Sequence, residues 1–270
     1  MSGSDELDRY RAPALDKGLD ILELLAGEEE GLSQAEIAKA LGRTPNEHYR
    51  MLERLVRRGY VARSASDRYE LTLKLFGLAH FHRPIRRLVS LATPMMRALA
   101  ARSMQSNHLA VFDRAGVTVI AQMDAPGYWG LAIRVGARVD LFNTGSGHIL
   151  LAFRSREERE MMIEEQQEGG QEDGGRPDDL EERLAQIRAR GYEVMPSLQS
   201  AGVYNLSAPV LGGDGAAVAA LTCPYIAPLN RPKAPDIPET IAMLCETAEA
   251  LSARVGGRPE PGDEAEEIGG

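Results

Sequence analysis

Two helix-start signatures stand eleven residues apart near the beginning of this 270-residue chain, and together they admit few folds. Ser33 with Glu36, and Thr44 with Glu47, each place a hydroxyl three residues ahead of a carboxylate. At that spacing the hydroxyl serves the N3 amide and the carboxylate reaches back to the N-cap amide, so each pair opens a helix. Pro45 falls at the first helical position, where a missing N–H costs nothing. Gly42 supplies the tight turn between the two helices. A short helix, a glycine turn and a proline-started helix form the pattern of a helix-turn-helix.

The flanking sequence extends the pattern. Leu15, Leu19, Leu22 and Leu25 recur at helical spacing and predict a helix over 15–26. The second helix spans 33–41 with Ile37, Ala38 and Leu41 inward. The third spans 44–58, with Met51, Leu52, Leu55 and Val56 on one stripe and Gly59 placed to cap its end. Residues 60–63 and 68–71 alternate around a polar turn, predicting a β-hairpin and hence a winged helix. Further helices are predicted over 73–82 and 85–103, where Thr93-Pro94 offers a fresh helix start.

Beyond these, strand patterns at 107–113, 117–124, 129–135, 203–210 and 216–224 mix with helical patterns at 146–153, 156–167, 178–190 and 237–254. The fold class is α/β in the α+β sense, with a largely antiparallel sheet in the second half. The expected organisation is a disordered arm over 1–12, a winged helix-turn-helix over 13–75 and a linker helix over 76–93. An α+β domain over 94–255 and a Gly-, Pro- and Glu-rich tail over 256–270 follow.

The net charge of -9 conceals a segregation. Residues 1–42 carry -6 and residues 91–270 carry -10, whereas 43–90 hold 11 basic and 4 acidic residues, a net +7. One basic window in an acidic chain is the footprint of a polyanion contact, and it coincides with the third helix. Opposite the apolar stripe that helix presents Asn46, Glu47, Tyr49, Arg50, Glu53, Arg54 and Arg57. In double-stranded DNA, Arg50 would bridge guanine O6 and N7 and Asn46 would pair an adenine edge. Glu47 would serve its cap or accept from cytosine N4. Thr44 and the first helical amides suit a phosphate. Arg63 and Arg68 flank the wing and would meet backbone or minor groove. His48 falls on the core side. Because winged helices also dock proteins, a sensing module whose winged helix binds protein is the alternative reading.

No apolar run is long enough for a membrane span, and the acidic start is unlike a secretory signal, so the expected location is cytoplasmic. Cys223 and Cys245 stand apart in apolar surroundings, with no metal spacing and no cofactor motif beside them. Gly145-Ser146-Gly147-His148 lacks the Gly-x-Ser-x-Gly elbow and an orienting acid, so no catalytic reading follows.

The ordered set of motifs resembles the IclR family of bacterial transcriptional regulators. Its carriers are Ala14-Leu-Asp-Lys-Gly-Leu-Asp-Ile-Leu, Gly31-Leu-Ser-Gln-Ala-Glu-Ile-Ala, Arg50-Met-Leu-Glu-Arg-Leu and Gly59-Tyr-Val. Further along they are His108-Leu-Ala-Val, Arg134-Val-Gly-Ala-Arg-Val, Thr144-Gly-Ser-Gly-His-Ile-Leu-Leu-Ala-Phe, Arg188-Ala-Arg-Gly-Tyr and Leu206-Ser-Ala-Pro-Val. The resemblance implies a GAF/PAS-like effector domain and homodimers or dimers of dimers on palindromic operators. It also implies control by a small molecule, here as repressor of a neighbouring catabolic operon. Effector contacts carried over by the resemblance are Gly145, Ser146, Met195, Asn205 and Thr222. Gly145 and Ser146 would offer free helix-start amides to a carboxylate, with Met123, Trp129 and Leu131 as an apolar wall, which suits a small organic acid. The chain departs from the family at Asn46-Glu47-His48, where a Ser-Thr-hydrophobic run is usual. His148 and Asn205 stand where Lys and Cys are frequent.

Overall fold

The computed structural model describes residues 12–80, 83–114, 116–127, 130–168, 175–227 and 234–256. The chain divides between Arg83 and Pro84 into two units, each with its own core. Apart from their boundary residues, the arm over 1–12 and the tail over 256–270 lie outside the described residues, as does Trp129.

The first unit runs α1 (Pro13–Ala26), β1 (Leu32–Ser33), α2 (Gln34–Ala40), α3 (Pro45–Arg57), β2 (Val61–Arg63), β3 (Arg68–Leu71) and α4 (Lys74–His80). The first capping box closes as its spacing demands. Ser33 Oγ accepts the Glu36 N–H at 3.3 Å, and the Glu36 carboxylate accepts the Ser33 N–H at 2.7 Å. Gly42 takes a φ of 63°, a left-handed conformation that glycine adopts freely, and turns the chain into α3. The core joins Ile21 and Leu25 of α1, Ile37 of α2, Leu52 of α3, Val61 and Tyr69. Each buried aliphatic there contributes on the order of 1.5–3 kcal/mol.

Two details differ from the sequence pattern. Leu15 and Leu19 are 61% and 46% exposed, because the i,i+4 pair Ile21 and Leu25 faces Ile37 and Leu52 instead. The two-residue β1, too short to show a period, pairs Leu32 with Tyr69 and Ser33 with Arg68. The wing is therefore a three-stranded sheet in the order β1-β3-β2.

The second unit holds α5 (Arg83–Ser103), β4 (Asn107–Phe112), β5 (Val117–Met123), β6 (Arg138–Val139), α6 (Gly145–Ala152), α7 (Arg156–Glu168), α8 (Leu180–Arg190), β7 (Glu193–Pro196), β8 (Val203–Leu211), β9 (Ala217–Ile226) and α9 (Ile237–Gly256). Its six strands form one antiparallel sheet in the order β6-β5-β4-β9-β8-β7. Strand alternation sends Leu109, Leu206, Leu221 and Cys223 to one face, against α5 and α9. Ala110, Val117, Val119 and Ala220 go to the other, against α6, α7 and α8. Among the described residues no helix is long and apolar enough to cross a membrane.

Thr93-Pro94 does not start a new helix. Thr93 Oγ1 donates to the Val89 carbonyl at 2.7 Å within a continuous α5, and the burial of Leu88, Ala92, Met96 and Leu99 offsets the amide that Pro94 lacks. The strand expected over 129–135 is absent across the described residues 130–135. Contact with β5 begins only at Gly136, whose N–H donates to the Val119 carbonyl at 2.8 Å, so the preceding apolar residues remain an irregular segment.

Candidate functional site

Helix α3 is held by the second capping box. The Glu47 carboxylate accepts the Thr44 N–H at 2.9 Å and the Thr44 hydroxyl at 2.8 Å, with Lys17 Nζ at 3.8 Å. These Thr44 hydrogen bonds, reinforced by Lys17 and Arg43, hold the Glu47 carboxyl below its ordinary range. Glu47 is thus a cap ligand, and the Thr44 proton is committed to it, which leaves phosphate contact at this end to backbone amides. His48 is buried beside Leu52, and burial together with the Arg43 and Lys17 charges lowers its pKa, so it packs as a neutral ring.

The outward side of α3 carries Tyr49, Arg50, Arg54 and Arg57, all exposed. The three arginines make no hydrogen bond or ion pair with the described residues. Asn46 lies in the first turn of α3, but its side chain is outside the description. The wing arginines are already engaged. Arg63 grips Asp67 Oδ1 through Nε at 2.8 Å and Nη2 at 2.7 Å, and lies 5.6 Å from the Tyr69 ring centre. Because that pair is exposed, a phosphate can take the place of Asp67. Arg68 is half-buried, donates to the Gly31 carbonyl and sits 3.4 Å from Glu36, bracing β3 against the start of α2.

In the second unit a cavity of about 230 Å³ opens at the start of α6. The local sequence builds this mouth. Asp140 Oδ1 accepts the Phe142 and Asn143 N–H groups at 2.8 and 2.6 Å, and Thr144 Oγ1 donates to the Asp140 carbonyl at 2.6 Å. Thr144 Oγ1 also accepts the Gly147 N–H at 3.0 Å, capping α6. The Gly145 and Ser146 amides have no partner among the described residues and mark the positive end of the helix dipole. A Cβ on Gly147 would stand 2.1 Å from the Leu141 carbonyl oxygen, and on Gly145 2.4 Å from Ser207 Oγ. Gly147→Ala should therefore destabilise the second unit by about 1–3 kcal/mol in urea unfolding, since backbone rather than a movable side chain must yield.

Of the residues singled out from the sequence, Leu131, Gly145, Ser146, Asn205 and Thr222 meet in the wall of this cavity. Met195 is buried opposite Asn205 in the β7–β8 register but does not reach the wall. Met123 pairs with Asn107 and packs on the other face of the sheet, with the α5 and α9 core. Alternation along β5 gives the cavity side to its neighbour's parity. Trp129 cannot be placed, lying outside the described residues.

The sheet side of the cavity is polar. Thr222 Oγ1 lies 2.8 Å from both Ser146 Oγ and Ser207 Oγ. His108 faces the same group, its Nε2 3.4 Å from Ser146 Oγ and its Nδ1 without a partner. Burial pulls the His108 pKa down to about 4, so its ring is neutral. His108 and the rim residues Ser197, Gln199 and Ser200 escaped the sequence reading as effector contacts. Only the β4–β9 register, His108 opposite Thr222, identifies the first of them, and register is invisible before strands are paired.

Behind the mouth, His148 is buried with an acceptor against each ring nitrogen: Glu193 Oε2 at 3.2 Å and the Phe142 carbonyl at 2.6 Å. Glu193 also meets Arg190 and accepts the Val194 N–H at 2.7 Å. Burial opposes its charge, but the His148 hydrogen bond, the Arg190 and His148 charges and the Val194 amide outweigh it and hold its pKa below the ordinary value.

Comparison with known proteins agrees with this division of labour. Residues 14–65 match the IclR helix-turn-helix domain, and residues 85–253 match the bacterial transcriptional regulator IclR C-terminal domain. The transcriptional regulator KdgR of Escherichia coli is 29% identical over 243 residues, covering 89% of this chain and 91% of its own. BhcR of Paracoccus denitrificans is 32% identical over 222 residues, covering 79% and 78%. Among solved structures, an IclR homologue from Microbacterium hydrocarbonoxydans complexed with 4-hydroxybenzoate superposes with a TM-score of 0.71 at 21% identity, covering 90% of this chain and 98% of that one. Pseudomonas aeruginosa HmgR gives 0.69 at 26% identity, covering 90% and 99%. A helix-turn-helix with an unpaired arginine face, joined in one chain to an effector-domain cavity, belongs to the IclR family of bacterial DNA-binding transcriptional regulators.

Proposed function

We propose that this regulator represses a catabolic operon by binding a palindromic operator as a homodimer or dimer of dimers, and lets go when a small organic acid enters the cavity. One observation carries the reading. Arg50, Arg54 and Arg57 stand exposed on α3 with no side-chain partner among the described residues, while the helix-start amides of Gly145 and Ser146 open into the α6 cavity. Cations without a protein partner are suited to phosphates and base edges, and free helix-start amides to a carboxylate.

Self-association is supported by apolar surface left on the first unit. Leu15 and Leu19 of α1 are exposed, as is Leu73, at 82%, just before α4. Patches of this kind are commonly covered by a partner. A two-fold pair would present two copies of α3 to two half-sites, and their spacing then becomes the quantity an effector can alter. Coupling of this sort is limited by the difference in effector affinity between the two arrangements. The working location is the cytoplasm, with the operator. The structural relative complexed with 4-hydroxybenzoate supports an organic acid as the class of effector.

The test is fluorescence anisotropy with duplexes from the promoter next to the gene, across a salt series. Log affinity should fall linearly with log salt, with a slope of about -0.9 per phosphate neutralised, and promoter sequence should bind far more tightly than its scrambled counterpart. Equal affinity for promoter and scrambled duplex at every salt concentration would defeat the operator reading.

A further inference from the structure

We infer that the molecule taken by the α6 cavity is an aliphatic acid with one carboxylate and several hydroxyl groups; the inference rests on reading this cavity as the effector site. The charge count comes first. Among the described residues no Lys, Arg, Asp or Glu lines the cavity. Its means of holding an anion are the two unpartnered amides of Gly145 and Ser146 at the positive end of α6. His108 is neutral and adds no cation. One carboxylate is matched by this arrangement. A second would lose its water with no compensating charge.

The polar groups come second. His108 is 3% exposed, and its Nδ1 has no partner beside the helix start. Asn205 and Gln199 line the cavity with side chains that make no hydrogen bond to the described residues. An unsubstituted aromatic ring would strip these groups of water and return nothing, whereas hydroxyls along a carbon chain answer them. The chain itself can lie on the apolar side formed by Leu131 and Ile133. A volume of about 230 Å³ equals roughly eight waters of liquid, room for a short polyhydroxy acid.

Isothermal titration calorimetry on the full chain with four probes tests this. Gluconate, glucarate and glucitol share one carbon skeleton and carry one, two and no carboxylates; benzoate carries one and no hydroxyl. Gluconate should bind at least tenfold more tightly than each of the other three. Asn205→Leu should weaken it at least fivefold. Asn205→Asp, nearly identical in shape, should weaken it at least tenfold by placing a negative charge in the cavity, with the thermal unfolding midpoint of each variant confirming an intact fold. The inference is overturned if glucarate, glucitol or benzoate equals or surpasses gluconate, or if gluconate does not bind. The two readings fail separately. Should the best probe be another of the four and lose affinity in both Asn205 variants, the cavity stands as the effector site and the chemical class falls. Should gluconate bind and both variants leave it unchanged, it sits elsewhere, and the cavity reading falls with the inference.

Discussion

Replacing Arg50 with alanine is expected to weaken operator binding by about 1–3 kcal/mol per half-site and to flatten base preference at one position in each. On a two-fold operator both copies lose the contact, so the total reaches roughly 2–6 kcal/mol. The expectation rests on position and on freedom. Arg50 lies in the N-terminal half of α3, the part of a recognition helix that meets base edges, and no carboxylate among the described residues holds it. Arg57, at the far end of the same helix, is the control. Arg57→Ala should weaken operator and scrambled duplex alike and reduce the salt slope by about one unit per half-site, roughly two in all, the behaviour of a phosphate contact. Identical losses on operator and scrambled duplex for Arg50→Ala would reassign Arg50 to the backbone. The engaged state of Arg63 adds a contrast. Its pairing with Asp67 predicts that Arg63→Ala changes affinity less than Arg57→Ala, because some attraction for phosphate is already answered within the wing.

How far the sequence alone reached can be seen in these residues. The capping boxes at Ser33 and Thr44 were legible because a local rule connects side chains three residues apart; the first forms in full, and at Thr44 the Glu47 carboxylate takes the N-cap amide while the hydroxyl donates to that carboxylate. The outward arginines of α3 were legible because a helix fixes direction by count, so an inward Leu52 places Arg50 and Arg54 outside. Arg68 was not. Its engagement with the Gly31 carbonyl and Glu36 depends on β1 pairing with β3, a contact between residues far apart in sequence. The cavity divides in the same manner. Gly145 and Ser146 came from the family resemblance, and the structure places them at the start of a helix that Thr144 caps. Whether Met123 or Gln122 shares a face with Thr222 depends on register across three strands, and the register puts Met123 on the far side. Local chemistry was readable, and strand pairing was not.

The second large effect is expected at Glu193. Glu193→Leu should destabilise the second unit by about 1–3 kcal/mol in urea unfolding, because it leaves a buried His148 ring nitrogen without its partner. His148 is 0% exposed, and its two ring nitrogens face the Glu193 carboxylate and the Phe142 carbonyl. Both ring nitrogens are thus matched by an oxygen inside the protein, and the carboxylate also meets Arg190 and accepts the Val194 N–H. The double substitution His148→Leu with Glu193→Leu should recover most of the loss, since apolar replacement of both partners in such a pair is often neutral. Arg190, 36% exposed, can turn its guanidinium to water in either variant. The pH dependence has a definite sign. The folded pKa of Glu193 is depressed, so its contribution is present above the ordinary carboxylate range and is lost as pH falls through the depressed folded value. Wild type should therefore lose stability on acidification more steeply than the double variant. A single variant as stable as wild type, or a double variant worse than the single, would show that the His148–Glu193 contact does not hold the fold together. The same contact ties the Phe142–Thr144 turn to the start of β7. Loosening it should thus raise the effector dissociation constant even where the fold survives, because the turn that aims the Gly145 and Ser146 amides would no longer be fixed.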